Sequence, residues 1–230
     1  MRWVITIVVS LVAGFAGAAL FSWSGLGGNA TRDYLMANPE VLPEAIEVLQ
    51  RKQMASAIEP LRPELETPFP GAVLGNPQGS ITLVEFTDYA CGYCRQAVPE
   101  VEALIAANPD LKVVIREYPI LSPASADAAR MALAAAQQGK FADYHKAMYE
   151  TGDVSLPAIE AAARKAGVDL ARARQAIEAG AFEAHLQSNG MLAQNLQLSG
   201  TPGFVIGDAV FDGFVGRETI ADAIAKVRDS

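Results

Sequence analysis

From Val4 to Phe21 the chain carries no charged residue; Met1-Arg2-Trp3 precedes this run and the small residues of Gly25 to Ala30 follow it. An apolar run of this length either spans a bilayer as a helix or serves as an export signal. Ala16-Gly17-Ala18 has the small-x-small form of a cleavage site, so residues 1–24 read as a signal peptide, cut there, or as a retained N-terminal membrane anchor. Arg2 stays on the cytoplasmic side under the positive-inside rule, which places the rest of the chain outside the cytoplasm in either case.

The pattern changes at Thr31. Leu35, Leu42 and Leu49 recur every seven residues with Ile46 between the last two, an apolar stripe at coiled-coil spacing along an otherwise polar arm of residues 31–58. Asn38-Pro39 looks like a cap with proline at the first helical position, giving a short helix, a break and a second helix. Pro43 would cost that second helix a hydrogen bond, so the helix is kinked there or begins near Pro43 itself. The stripe has two uses open to it: packing on its own domain, or pairing with copies of itself. Pro60, Pro63, Pro68 and Pro70 then predict a stiff linker over 59–70.

Beyond Gly71 short apolar runs alternate with helical patterns. Ala72 to Leu74 predicts a short strand, Gly75 to Gly79 a turn, and Ile81 to Phe86 a strand buried on both faces. Cys91 to Ala107 predicts a helix kinked at Pro99, and Lys112 to Tyr118 a further strand, completing a parallel crossover. From about 122 to 198 the pattern is helical throughout. Its four or so helices stop at Gly139, Gly152, Gly167 and Gly180, and Ser122-Pro123 and Ser155 open two of them. Phe141, Tyr144, Met148, Phe182, Leu186 and Leu192 recur at three- and four-residue intervals and are read as core. Gly203 to Ile206 and Ala209 to Phe211 form a hairpin around Gly207-Asp208, and Arg217 to Arg228 a terminal helix. Residues 71–230 are thus an α/β domain with an inserted helical segment.

Composition narrows the function. A formal net charge of -8 with no basic patch argues against nucleic-acid binding, and two cysteines in 230 residues do not make a disulfide-stapled scaffold. Those cysteines are three apart, in Cys91-Gly92-Tyr93-Cys94, at the turn between the buried strand and a helix. A thiolate at Cys91 would face the free N–H groups and positive dipole end of that helix, which favour the charged form. Cys94, one turn on, is close enough to attack a mixed disulfide formed at Cys91 and release the partner. A purely structural disulfide would close too short a loop to stabilise much. A zinc site would need both His145 and His185 as further ligands. Thiol–disulfide exchange is therefore the reading of the dithiol, with no cofactor and no metal. A binding module is the alternative, in which the same two thiolates hold the soft ion Cu(I).

Phe86-Thr-Asp-Tyr-Ala-Cys-Gly-Tyr-Cys94, followed about a hundred residues later by Ser199-Gly-Thr-Pro-Gly-Phe-Val-Ile206, resembles the DsbA-like branch of the thioredoxin superfamily over roughly Gly71 to Ser230. The resemblance implies a thioredoxin fold with a helical insertion, and a cis proline at Pro202 that lies against the dithiol. Thr201 and Pro202 would then present backbone groups to a substrate segment beside Cys91. Glu85, six residues before Cys91 in an apolar strand, falls where the family keeps a buried acid. The resemblance gives it proton transfer towards Cys94, with its pKa raised by desolvation. Gly92 and Tyr93, which the substrate also meets, bring no charge to the gap where strong oxidases of the family carry histidine. Cys-Gly-Tyr-Cys and a threonine before the proline look like the periplasmic isomerases and reductases. Tyr34 to Gln53 is similar to the N-terminal arm of the suppressor-of-copper-sensitivity (ScsC-like) group, some of which trimerise through it. The implied partners are cysteine-containing exported proteins and a membrane redox partner that resets the dithiol, with self-association through residues 31–58 as a further implication, all in the periplasm.

Overall fold

The computed structural model describes residues 2–23 and 26–229, whose contacts divide into two units, 1–52 and 53–230. In the first unit α1 (Arg2–Trp23) contains the stretch Trp3–Phe21, long and apolar enough to cross a membrane. Two helices follow, α2 (Leu26–Ala37) and α3 (Val41–Ile58), the latter running on into the second unit. The break between them corrects the expected start. Asn38 does not open the second helix but closes the first, its Nδ2 donating to the Tyr34 carbonyl at 2.9 Å. Pro39 lies in the turn and α3 begins at Val41. Pro43 is then in the first helical turn, where the missing N–H has no partner to lose, so neither a kink nor a later start is needed. Leu42, Ile46 and Leu49 stand about half exposed on this helix.

The second unit is a five-stranded sheet in the order β1-β3-β2-β4-β5, with β1 (Val73–Gly75), β2 (Ile81–Thr87), β3 (Leu111–Glu117), β4 (Gly203–Ile206) and β5 (Ala209–Asp212). β2 and β3 are parallel, joined through α5 (Gly92–Ala107) as the crossover pattern predicts, and every other pair is antiparallel. Between Glu117 and Gly203 come five helices, one more than the rough number read from the glycines: α6 (Pro123–Ala136), α7 (Phe141–Thr151), α8 (Leu156–Lys165), α9 (Leu170–Glu178) and α10 (Glu183–Asn195). Four of their ends are the predicted glycines, each with φ between 67° and 74°, a left-handed geometry that only glycine takes without steric cost. A terminal helix, α11 (Arg217–Arg228), completes the unit.

Side-chain alternation in β2 and β3 sorts the core into two. Ile81 and Leu83, with Leu111, Val113 and Ile115, pack towards α5, α11 and the inserted helices. Val84, Phe86 and Val114 face the other way, against Leu192, Leu196 and Leu198. Ile58 and Leu65 also belong to this second layer, both essentially buried, so residues 59–70 do not form the expected free-standing linker. The physical reason is Arg116. It points to this face from β3 and donates to the carbonyls of Leu65 (3.0 Å) and Thr67 (2.6 Å) and to that of Glu64, folding the proline-rich stretch and its short helix α4 (Arg62–Leu65) onto the sheet.

Candidate active site at the start of a helix

The strand β2 is central, so its odd-numbered positions past Leu83 stay on the same inner face. Glu85 and Thr87 both point towards α5 and α7, and both are buried, although neither is apolar. Glu85 is only 2% exposed, and this corrects nothing in the expected placement of an acid inside the strand. Burial pushes its pKa up to about 8, with the Thr87 hydroxyl pulling weakly the other way, so the carboxyl is mostly protonated at neutral pH. It also lines a cavity of about 310 Å³ together with Val98, Val101, Glu102, His145 and Lys146.

After Thr87 the chain turns sharply, and Asp88 shapes the turn. Its buried carboxyl accepts from the Ala90 N–H (2.8 Å) and from the Ile120 and Leu121 N–H groups (2.9 Å each), while its own carbonyl accepts from the Cys91 N–H at 2.9 Å. This pins the segment before the dithiol to the loop after β3. Cys91 then stands as the N-cap of α5, in an extended backbone conformation, and its Sγ accepts from the Cys94 N–H at 3.4 Å. The same Sγ donates to the Thr201 carbonyl at 3.2 Å. Both cysteines are unbridged.

The two sulfurs differ in surroundings. Cys91 is 6% exposed at the helix terminus, with the exposed Gly92 and Tyr93 beside it, while Cys94 is fully covered by the first turn. Burial pushes the Cys94 thiol up to about 12, and the nearby Glu85 adds to the shift. The Asp88 backbone and the Thr87 and Thr201 hydroxyls oppose it. Such a thiol stays neutral at physiological pH unless a base removes its proton.

Thr201 and Pro202 reach the site from the far end of the sequence, at the start of β4, which pairs antiparallel with β2. The peptide bond between them is cis. The Thr201 carbonyl faces Cys91 and its buried hydroxyl, close to the Cys94 sulfur, has no hydrogen-bond partner. All seven residues expected at the site are thus brought to one end of β2 and α5. The two histidines are not brought together: His145 lies under the dithiol face, its Nδ1 3.1 Å from the Tyr89 hydroxyl, whereas His185 stacks on Phe69 near Arg116. Among the described residues no group of three or more His, Cys, Asp or Glu is placed to hold a metal ion.

Further polar residues of the site, Thr87, Asp88, Tyr89, Glu117 and Tyr149, are not singled out by the sequence. Thr87 meets the Tyr149 hydroxyl at 2.5 Å, and Tyr149 donates to the Asp88 carbonyl at 3.2 Å. Glu117, opposite Thr87 in the β2–β3 register, accepts from Tyr89 at 3.0 Å and is held well above the usual carboxyl range by burial. Period-two alternation from Glu85 is a signal for Thr87, and it does not extend to Tyr149 on α7, Glu117 on β3 or Tyr89 in the turn.

Comparison with known proteins agrees with this geometry. The family described as DSBA-like thioredoxin domain matches residues 82–225, and that described as Copper resistance protein ScsC N-terminal domain matches residues 29–55. A thioredoxin-like oxidoreductase from Silicibacter pomeroyi is 43% identical with a TM-score of 0.66, covering 69% of this chain and 92% of that one. BcfH of Salmonella enterica Typhimurium is 30% identical with a TM-score of 0.65, covering 92% of this chain and 98% of that one. ScsC of Proteus mirabilis, in a transitional conformation, is 27% identical with a TM-score of 0.65 over 85% of this chain and 90% of that one. Among curated proteins, the Na(+)/H(+) antiporter NhaA 3 of Salinispora tropica is 30% identical over 161 residues, which make up 66% of this chain and 24% of the antiporter. The chain spans about a quarter of the length of the curated relatives it matches.

Proposed function

The chain belongs to the DSBA-like thioredoxin family of thiol–disulfide oxidoreductases, and from that premise we propose that it exchanges disulfides with exported proteins through Cys91 and Cys94. The observation that carries the reading is the placement of the Cys91 sulfur. It caps a helix, accepting from the Cys94 N–H, and it faces the Thr201 carbonyl at the start of β4. Cys91 is the nucleophile. Cys94, buried and neutral, resolves the mixed disulfide, with Glu85 accepting its proton. A polypeptide flanking the target disulfide lies along Gly92, Tyr93, Thr201 and Pro202. With no charge between the cysteines, the dithiol works as a reductase or isomerase rather than as a strong oxidase.

The apolar helix α1 supports export, as a cleaved signal or as an anchor, so that the site works outside the cytoplasm beside a membrane redox partner. The half-exposed Leu42, Ile46 and Leu49, on a segment similar to the ScsC N-terminal domain, support self-association of the arm. Because Ile58 and Leu65 complete the core, the fragments that test this begin at Thr31 and at Gln53. Light scattering should find the first oligomeric and the second monomeric; a monomeric Thr31 fragment refutes the assembly. For the chemistry, the reduced Cys94→Ser variant should accumulate mixed disulfides with a scrambled-disulfide substrate and the reduced Cys91→Ser variant should not. Trapping by Cys91→Ser would reverse the roles. The copper-resistance description of the matched arm favours one second reading, Cu(I) held between the two thiolates. Stoichiometric copper retention without insulin reduction would establish it in place of exchange.

A further inference from the structure

Thr87 is a hydroxyl in a place where the core around it asks for an apolar side chain. It is fully buried on the central strand, one step along the inner face from Glu85, below the first turn of α5 that carries Cys94. Its Oγ1 lies 2.5 Å from the Tyr149 hydroxyl, and Tyr149 is itself tied to the Asp88 carbonyl at 3.2 Å. The Tyr149 hydroxyl can equally donate to Thr87 Oγ1, and in that arrangement the Thr87 proton is free to turn to the Glu85 carboxylate or the Cys94 sulfur. The hydroxyl acts on both neighbours, lowering the pKa of Glu85 and of Cys94 alike.

We propose that Thr87 is a catalytic residue of the release step, the hydroxyl through which the Cys94 proton reaches Glu85, and that Tyr149 is the positioning residue that fixes its rotamer. The proposal rests on the reading of Glu85 as proton acceptor. In the release step Cys94 S–H gives its proton to Thr87 Oγ while Thr87 passes its own hydroxyl proton to the Glu85 carboxylate. The Cys94 sulfur attacks Cys91 of the mixed disulfide, the Cys91–partner S–S bond breaks, and the Cys91–Cys94 bond forms. The partner sulfur leaves with the bonding pair as a thiolate and takes a proton from water. Two protein sulfurs are oxidised, the partner's disulfide is reduced, and the proton count closes with a protonated Glu85.

The groups that face Thr87 are few. Glu85 shares its strand; Glu117 lies opposite on β3, its Oε1 accepting from Tyr89; Cys94 comes from α5, with Cys91 at its N-cap; Tyr149 comes from α7, whose Tyr144 and His145 lie against Tyr89; Asp88 follows in the turn. Tyr144 donates to the Ala128 carbonyl and His145 pairs with Tyr89, so both are already engaged.

The test is rapid mixing of the reduced full chain, in non-ionic detergent, with a fluorescent glutathione disulfide. The first thiol released reports attack by Cys91 and the second reports release by Cys94. In the wild type the second phase should rise with pH to a midpoint near 8, the value for Glu85. Thr87→Val should leave the first phase intact and slow the second at pH 7 by at least about tenfold, and Thr87→Ser should restore it. Tyr149→Phe should slow it less. A second phase unchanged in Glu85→Gln would overturn the reading of Glu85. A second phase slowed in Glu85→Gln but normal in Thr87→Val would leave that reading standing and overturn the bridge. Should Thr87→Val fail to fold, the wild-type proton inventory in mixed H2O and D2O decides. A curved inventory means two protons in flight, and a linear one refutes the relay.

Discussion

Glu85 is an acid that the fold holds neutral, so its cost should be readable in the pH dependence of stability. Its pKa is about 8 in the folded protein against 4.5 for an unburied glutamate. Between those values the folded protein holds a proton that the unfolded chain has lost. Stability must therefore fall as pH rises, by about 1.4 kcal/mol per unit, and be fully regained below the unfolded value. At pH 5 the resulting penalty is about 1 kcal/mol and at pH 7.5 about 4 kcal/mol. Glu85→Gln keeps the shape and the neutral hydrogen-bonding character but cannot ionise. Relative to wild type the variant should thus gain about 3 kcal/mol between pH 5 and pH 7.5. Urea unfolding of the reduced full chain in mild detergent, followed by circular dichroism because both tryptophans, Trp3 and Trp23, lie in α1, measures the difference directly. The Cys94 thiol, pushed up to about 12, does not titrate in this window. A wild-type-to-variant difference that stays constant to within about 1 kcal/mol over the range would refute the strong desolvation of Glu85.

Three other perturbations have definite outcomes. His145 is buried and neutral, with its pKa lowered to about 4, so its contribution is present above 6.5 and lost as pH falls; His145→Gln should remove up to about 3 kcal/mol of acid destabilisation between pH 6.5 and 4, measured by the same urea titration. Thr201→Val deletes a buried hydroxyl that has no partner in the dithiol form. It should stabilise that form by about 1 kcal/mol, making the reduction potential against glutathione about 20 mV more oxidising, and an unchanged potential would show that the hydroxyl is not felt by the sulfurs. Arg116→Met leaves the carbonyls of Glu64, Leu65 and Thr67 and the Asn189 side chain without their donor. Thermal unfolding should show a loss of about 3 kcal/mol or more, while the Cys91 alkylation rate in the folded protein stays at the wild-type value.

The sheet was legible because its central strands are buried on both faces and therefore apolar without interruption, and the inserted helices because glycine must end them where the backbone turns left-handed. The terminal helix Arg217–Arg228 falls where its pattern places it. Two things were not legible. Prolines at 60, 63, 68 and 70 signal a stiff backbone, but stiffness does not say whether the segment stands free. That was decided by Arg116, a residue some fifty positions away whose buried guanidinium donates to the carbonyls of this stretch. At Pro43 the missing N–H is harmless only if the helix starts two residues earlier, and the side chain that ends the preceding helix, Asn38, fixes that start. The dithiol was legible from residue type and spacing, and Glu85 and the Thr201-Pro202 turn through the family resemblance. Thr87, Tyr149 and Glu117 were not, since a buried threonine or tyrosine in a strand or helix looks like ordinary core until its neighbours are known.

The division of labour between the two sulfurs follows from one turn of helix. Cys91, as N-cap, has helical N–H groups in front of it and is the less covered of the two sulfurs. Cys94 lies past the cap, under the first turn, where the N–H groups are already directed elsewhere and the acid Glu85 lies nearby. A thiol in that position can lose its proton only to a group that is itself reluctant to be charged. On the proposed reading Glu85 takes that proton: the same burial that raises the thiol also raises the carboxyl, so the two stay closer in proton affinity than a surface glutamate and a buried thiol would. The strand supplies this matching through its alternation: residues 85 and 87 must share the face that α5 covers, and a polar pair placed there is costly to stability, which the surrounding apolar core offsets. On the proposed mechanism an Ala at 85 leaves the release step without its base, and an Ala at 87 leaves it without its bridge.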